Sequence, residues 1–235
     1  MEKRNVEISA LRTLRSGFLY LLVAVIVGVV AALAGLLSII AAIGFMPAAP
    51  HGPSAFAGVI SAVAFPLVLS LVAVGIVLYA IFGKIRPSMR QLSEVDSGFR
   101  ICYTGTTLML VGLAILVLGL IVLAAVFAAA SFSPEALRGT VVSGLILALG
   151  VLLIGGIIAF FIGDILTFVV GAFKLHGKYQ NSLYMAAGIL FVVDIALLLV
   201  GVSGILTLVG YILMYIALGD TISRLSTATA TPTQA

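Results

Sequence analysis

The chain has no tryptophan, one cysteine and two histidines, and charged side chains occupy only 9% of its positions. Each shortage removes a class of chemistry. A lone Cys102 excludes an internal disulfide and any CxxC redox or zinc motif. Its place at the start of an apolar run predicts a small buried thiol. His51 and His176 fall on opposite sides of the apolar runs, so they cannot share a metal. Neither lies inside an apolar run, so a serine nucleophile there would have no histidine base. No Gly-rich phosphate motif follows a strand, because no strand pattern is present. The expectation is a protein with no metal, no cofactor and no enzymatic activity.

What is abundant is apolar: 63% of residues are hydrophobic. A soluble domain carries about 25% charged residues, and one of this length could not hide so much apolar surface from water. Lipid needs no polar cover. Four runs, residues 18–46, 55–83, 101–130 and 139–171, each exceed the ~20 residues that span a ~30 Å hydrocarbon core. The first is about twice the ~7–15 residues of a signal-peptide core, which predicts an anchor rather than a cleaved leader. Between residues 183 and 219 there is no Lys or Arg, and Gly201-Val202-Ser203-Gly204 offers a break. Two short helices, 183–201 and 204–219, follow from it. The fold class is therefore an all-α, polytopic transmembrane bundle with six crossings, or five if the last hairpin is re-entrant. One domain is expected over residues 1–225, with a Thr/Ala-rich disordered tail at 226–235.

Charge orients the bundle. Lys3, Arg4, Arg12, Arg15, Lys84, Arg86, Arg90, Arg100, Lys174, Lys178 and Arg224 all fall on one side of these crossings, and only Arg138 falls on the other. The positive-inside rule places the eleven, and both termini, in the cytoplasm of a cell-membrane protein. The net charge of +4 is thus explained by orientation and calls for no nucleic-acid partner. All seven tyrosines lie toward the same side, as suits a ring with an apolar body and a wet hydroxyl, whereas Phe45, Phe56, Phe127 and Phe132 lie toward the other. On the basic side, Asp96 or Ser97 is placed to cap the third run. The pairs Asp96/Arg100 and Asp220/Arg224 have helical i,i+4 spacing. Val6, Ala10 and Leu14, set among basic residues, predict a stretch resting on the inner membrane surface. The outer loop 47–54, with three prolines and His51, reads as a rigid turn.

Because lipid tails are as apolar as Leu, helices associate through close packing and hydrogen bonds, and small residues mark the contacts. The first run carries a ridge of Ala24, Gly28, Ala31, Gly35, Ser38 and Ala42. The third has Gly105, Gly112 and Gly119 at seven-residue steps, and the fourth has Gly155, Ala159 and Gly163 at four-residue steps. Such ridges serve packing within one chain or against a second copy or another membrane protein.

Asp164 and Asp194 are the only acids well inside the apolar runs. An isolated carboxylate there costs several kcal/mol, so each must be protonated, paired or wet. Asp164 lies ten residues before Lys174, or about 15 Å from that end of the helix, and Asp194 lies near the middle of the fifth helix. A shared proton or cation site is one reading, with Thr167, Ser143, Thr207 and Tyr211 as candidate donors. Interhelical glue is the other. An aspartyl intramembrane protease fails on its motifs, since Phe161 stands where a glycine is needed, Val193 where a tyrosine is needed, and the order is reversed.

Three stretches carry a family likeness: 11–17 (LRTLRSG), 173–182 (FKLHGKYQNS) and 210–219 (GYILMYIALG). Together they resemble an archaeal family of multi-pass membrane proteins known as domain of unknown function 973. The resemblance spans most of the chain and implies an archaeal cell membrane, with no activity and no site residues to carry over. Two functions follow from the residues themselves: a structural or interaction subunit, and a secondary transporter or channel using Asp164 and Asp194. An intramembrane enzyme ranks third.

Overall fold

The computed structural model describes residues 2–45, 53–132, 140–198 and 204–230, the side chains over somewhat shorter stretches. Among the described residues every regular element is helical. Helix α1 (Glu2–Phe45) packs on α2 (Pro53–Leu78), which passes through a π-helical turn, Tyr79–Ile85, into the short α3 (Arg86–Val95). A 3₁₀ turn, Ser97–Phe99, leads to α4 (Arg100–Phe132), the partner of α5 (Thr140–Asp164). A second π turn, Ile165–Val169, joins α5 to α6 (Val170–Tyr179). Helix α7 (Ser182–Leu198) then pairs with α8 (Ile205–Ala230), which also packs on α1. Among the described residues, five helices are long and apolar enough to cross a membrane. Helix α7 has 17 described residues, a length of about 25 Å.

The basic segments meet at one end of the bundle. Arg4 donates to the Leu225 carbonyl at 3.0 Å, the Lys178 ammonium lies 2.8 Å from Glu7, and the Asn181 amide donates to Asp220 at 3.0 Å. A continuous core lies at this end and just inside it, from Leu11, Leu14 and Phe18 through Ile85, Met89 and Phe99 to Leu175, Tyr184 and Leu218. Helix α1 is pressed close to the first π turn, where a side chain on Gly17 would come within 2.8 Å of Ile85. Farther along, Ile26, Leu33, Leu37, Leu118, Leu147 and Val151 are exposed, as lipid-facing residues must be.

Several expectations change. The segment holding Val6, Ala10 and Leu14 is no separate surface helix: α1 is continuous, and Ala10, Leu11 and Leu14 are fully buried in the core. Its apolar stripe finds α3 and α8 instead of lipid. Asp96 does cap the turn before α4, accepting the Gly98 N–H at 2.8 Å, but its ionic neighbour is Lys178 at 3.8 Å rather than Arg100. Asp220 and Arg224 pair as spaced, at 2.9 Å. Helix α8 runs on to Ala230, through residues expected in the tail.

The glycine ridges separate into used and unused. At Gly105, Gly112 and Gly119 an added Cβ would collide with α5 or the π turn after it, at 2.7 Å from Leu166, 2.5 Å from the Phe160 nitrogen and 2.6 Å from Leu153. Their partners are Gly163 and Gly156, also seven apart, because the crossing of two antiparallel helices keeps contact at a seven-residue period. Gly155 is thus off the seam, with nothing within 4 Å, and Ala159 is only half-buried. In α1, Ala24 and Ala31 are buried, Gly35 meets only Pro66 at 3.7 Å, and Gly28 faces open space. Cys102 is buried as expected. The side chains of Ala42, Phe45, Phe56, Phe127, Phe132 and Ser143, and all of His51 and Arg138, lie outside the described residues.

Candidate functional site

Asp194 sits three residues beyond Phe191 on α7 and is only 7% exposed. Both of its carboxylate oxygens accept the Gly204 N–H at 3.0 Å, and one also accepts the Thr207 hydroxyl at 2.7 Å. Gly204 has φ of 100°, the left-handed region that glycine enters without steric cost, and α8 begins at the next residue. Asp194 therefore works as a cap supplied from the preceding helix. A helix start leaves N–H groups without partners and carries a partial positive charge. A carboxylate answers both, and these interactions offset its own burial. Thr207 was legible as a donor; the Gly204 backbone was not.

Asp164 is placed differently. It is the last residue of α5, immediately before the second π turn, and is half-buried. Its carboxylate has no hydrogen-bond or ion-pair partner among the described residues. Thr167, expected as a donor to it, turns instead to the Gly163 carbonyl at 2.7 Å. In a π turn the backbone bonds shift to i+5, and a hydroxyl can satisfy a carbonyl left behind. The two acids do not bond each other. Tyr211, expected as a donor, makes no hydrogen bond to either acid among the described residues, so the two do not form one site.

Toward the basic end from both acids lies a group of four rings. Tyr211 contacts Phe18, Phe168 and Phe191 with centroids 5.9, 5.7 and 5.7 Å apart, and Phe168 lies 6.1 Å from Phe18 and 6.0 Å from Phe191. These rings come from α1, the second π turn, α7 and α8, and they fill the centre where those elements converge. Their tilted arrangement is the favourable one for aromatic pairs. Only the spacing of Phe168 from Asp164, one helical turn, hinted at this in the sequence.

Several polar groups of the basic end are engaged with one another, while the buried Arg15 and Arg86 Nε atoms and the Gln91 Oε1 have no hydrogen-bond partner among the described residues. Glu7 takes the Tyr179 hydroxyl at 2.7 Å as well as Lys178, and the Tyr184 and Thr221 hydroxyls share a bond at 2.9 Å. The Arg15 guanidinium stacks over Tyr215 at 4.4 Å, and the His176 ring bonds the Asn181 carbonyl at 3.0 Å. No group of three metal-ligating side chains occurs among the described residues.

No curated protein and no solved structure matches the chain. Residues 7–235 do match one family model, described as a protein of unknown function, DUF973. With nearly its whole length covered, and with helices fit to span a bilayer, the chain belongs to that family.

Proposed function

We propose that this is a non-enzymatic protein of the cell membrane, with its basic end and termini in the cytoplasm, that acts as a structural or interaction subunit. The observation carrying this reading is the open space at Gly28 of α1, Gly75 of α2 and Gly155 of α5, where an added Cβ would meet nothing within 4 Å. Each lies in an apolar span, and close backbone approach is how helices recognise one another in lipid. The occupant is a helix of a second copy or of another membrane protein. The engaged polar groups of the basic end and the capping role of Asp194 support a structural rather than a chemical task. Native mass spectrometry of protein extracted in mild detergent tests this. A partner should be retained by the wild type and lost in Gly28→Leu, Gly75→Leu or Gly155→Leu; a lone monomer throughout would end the reading.

A second reading rests on Asp164 alone, a carboxylate inside a span with no partner among the described residues and beside a π turn, a feature frequent at functional sites. Here the protein would carry a proton or cation. In reconstituted vesicles, flux should vanish in Asp164→Asn but persist in Asp194→Asn, because an amide oxygen still accepts from Gly204. Equal leak in wild type and both variants would remove this reading.

A further inference from the structure

A cavity of about 560 Å³ opens at the basic end between α6 and the turn that leads into α4. One wall is a single stripe of α6: Val170, Phe173, Lys174, Gly177 and Lys178, at positions i, i+3, i+4, i+7 and i+8. The other is the Asp96–Phe99 turn. Along α6 the stripe changes from apolar to cationic in the direction of the basic end. A phospholipid has the same order, from acyl chain through glycerol to phosphate.

Two details make this more than a charged rim. Lys178 is already held by Glu7, at 2.8 Å, whereas Lys174 has no ion pair or hydrogen bond among the described residues. Its ammonium lies 3.8 Å from where a side chain on Gly98 would begin, so it leans across the cavity. Gly177 adds nothing to the mouth, with no atom within 4 Å of its missing Cβ. The cavity is therefore open along Phe173 and Gly177, apolar at its inner end and furnished with an uncommitted cation toward the basic end. Asp96 stands opposite, one oxygen on the Gly98 N–H. It repels a bare anion but accepts from a hydroxylated headgroup.

We propose that this cavity binds the phosphate of an anionic membrane phospholipid, preferentially one whose headgroup carries hydroxyls, with Lys174 as the principal contact. The proposal needs only that the chain is membrane-embedded, so it stands or falls apart from the glycine notches and from Asp164. The test is native mass spectrometry of delipidated protein titrated with phosphatidylglycerol or phosphatidylcholine, and separately with inorganic phosphate. Phosphatidylglycerol should be retained at least about fivefold more tightly, the contribution of one basic residue near the membrane surface. That preference should disappear in Lys174→Ala and return in Lys174→Arg. Lys174 is exposed and unpartnered, so both variants should fold, with unchanged thermal unfolding as the control. Displacement of the lipid by millimolar inorganic phosphate would assign the phosphate-binding chemistry to a soluble source and overturn the lipid assignment. Equal binding of the two lipids, or a preference that survives Lys174→Ala, would overturn the proposal altogether.

Discussion

The α4–α5 pair and the α7–α8 hairpin are held together by different physics. Between α4 and α5 nothing polar is needed: glycines at seven-residue steps let two backbones touch, and dispersion over that seam provides the adhesion. The α7–α8 hairpin is joined through polar groups at both ends, Asn181 to Asp220 and Tyr184 to Thr221 at one, Asp194 to Gly204 and Thr207 at the other. The difference follows from where each pair needs its adhesion. With 33 and 25 residues, α4 and α5 offer a long surface. The α7–α8 hairpin must start α8 beside an apolar span, where bare N–H groups have no water to meet.

The largest effect should come from filling the glycine seam. Gly112→Leu would place a side chain where even a Cβ comes 2.5 Å from the Phe160 nitrogen and 2.7 Å from the Gly156 oxygen. Backbone atoms cannot yield as a side chain can. A loss of at least ~3 kcal/mol is expected, at or beyond the usual range for overpacking, seen as lost thermal unfolding cooperativity in detergent. Gly155→Leu, about three-tenths of a turn from Gly156 and free of neighbours within the chain, should leave the unfolding of the single chain unchanged. If both variants behaved alike, the seam would not be where adhesion resides.

Next in size is the hairpin tip. Asp194→Ala removes acceptors from the Gly204 N–H and the Thr207 hydroxyl, and a lost cap costs about 1–2 kcal/mol. Asp194→Asn keeps one acceptor and should cost less than half as much. Hydrogen exchange at the first amides of α8 reads this directly: protection should fall in the alanine variant and largely survive in the asparagine one. Equal loss in the two would mean that charge, rather than hydrogen bonding, is what Asp194 supplies.

How much of this the sequence disclosed depends on whether the signal was local. Charge sorting and run length are summed over many residues, so the helices and the gathering of basic segments at one end were legible. Gly105, Gly112 and Gly119 were legible too, because their period is that of the contact itself. Gly155 is one residue off the antiparallel crossing, which follows Gly156 and Gly163, so the four-residue steps from Gly155 to Gly163 did not disclose which of these residues face α4. Ala10 and Leu14 misled in another way, since an apolar stripe among basic residues suits a membrane surface and a protein groove equally well. The partner of Asp194 is a backbone N–H, which every residue but proline has, so no residue type could announce it. The π turns left no mark at all.

The smallest predicted effect is at the basic end, and it bears on whether that end is closed by charge or by packing. Glu7→Gln leaves the Tyr179 hydroxyl an acceptor but removes the charge facing Lys178. Both side chains are mostly buried, at 14% and 23% exposure, so salt screens the pair less than a surface bridge. The cost should be near the upper end for ion pairs in contact with water, about 1 kcal/mol. Exposed Arg90–Glu94, at 68% and 61%, is the control, and Glu94→Gln should change nothing measurable. Thermal unfolding in low and high salt separates the two cases. If Glu7→Gln also proved silent, the buried residues from Leu11 to Leu218 would hold the basic end without electrostatic help, and the α7–α8 hairpin would remain the one place where polar groups decide.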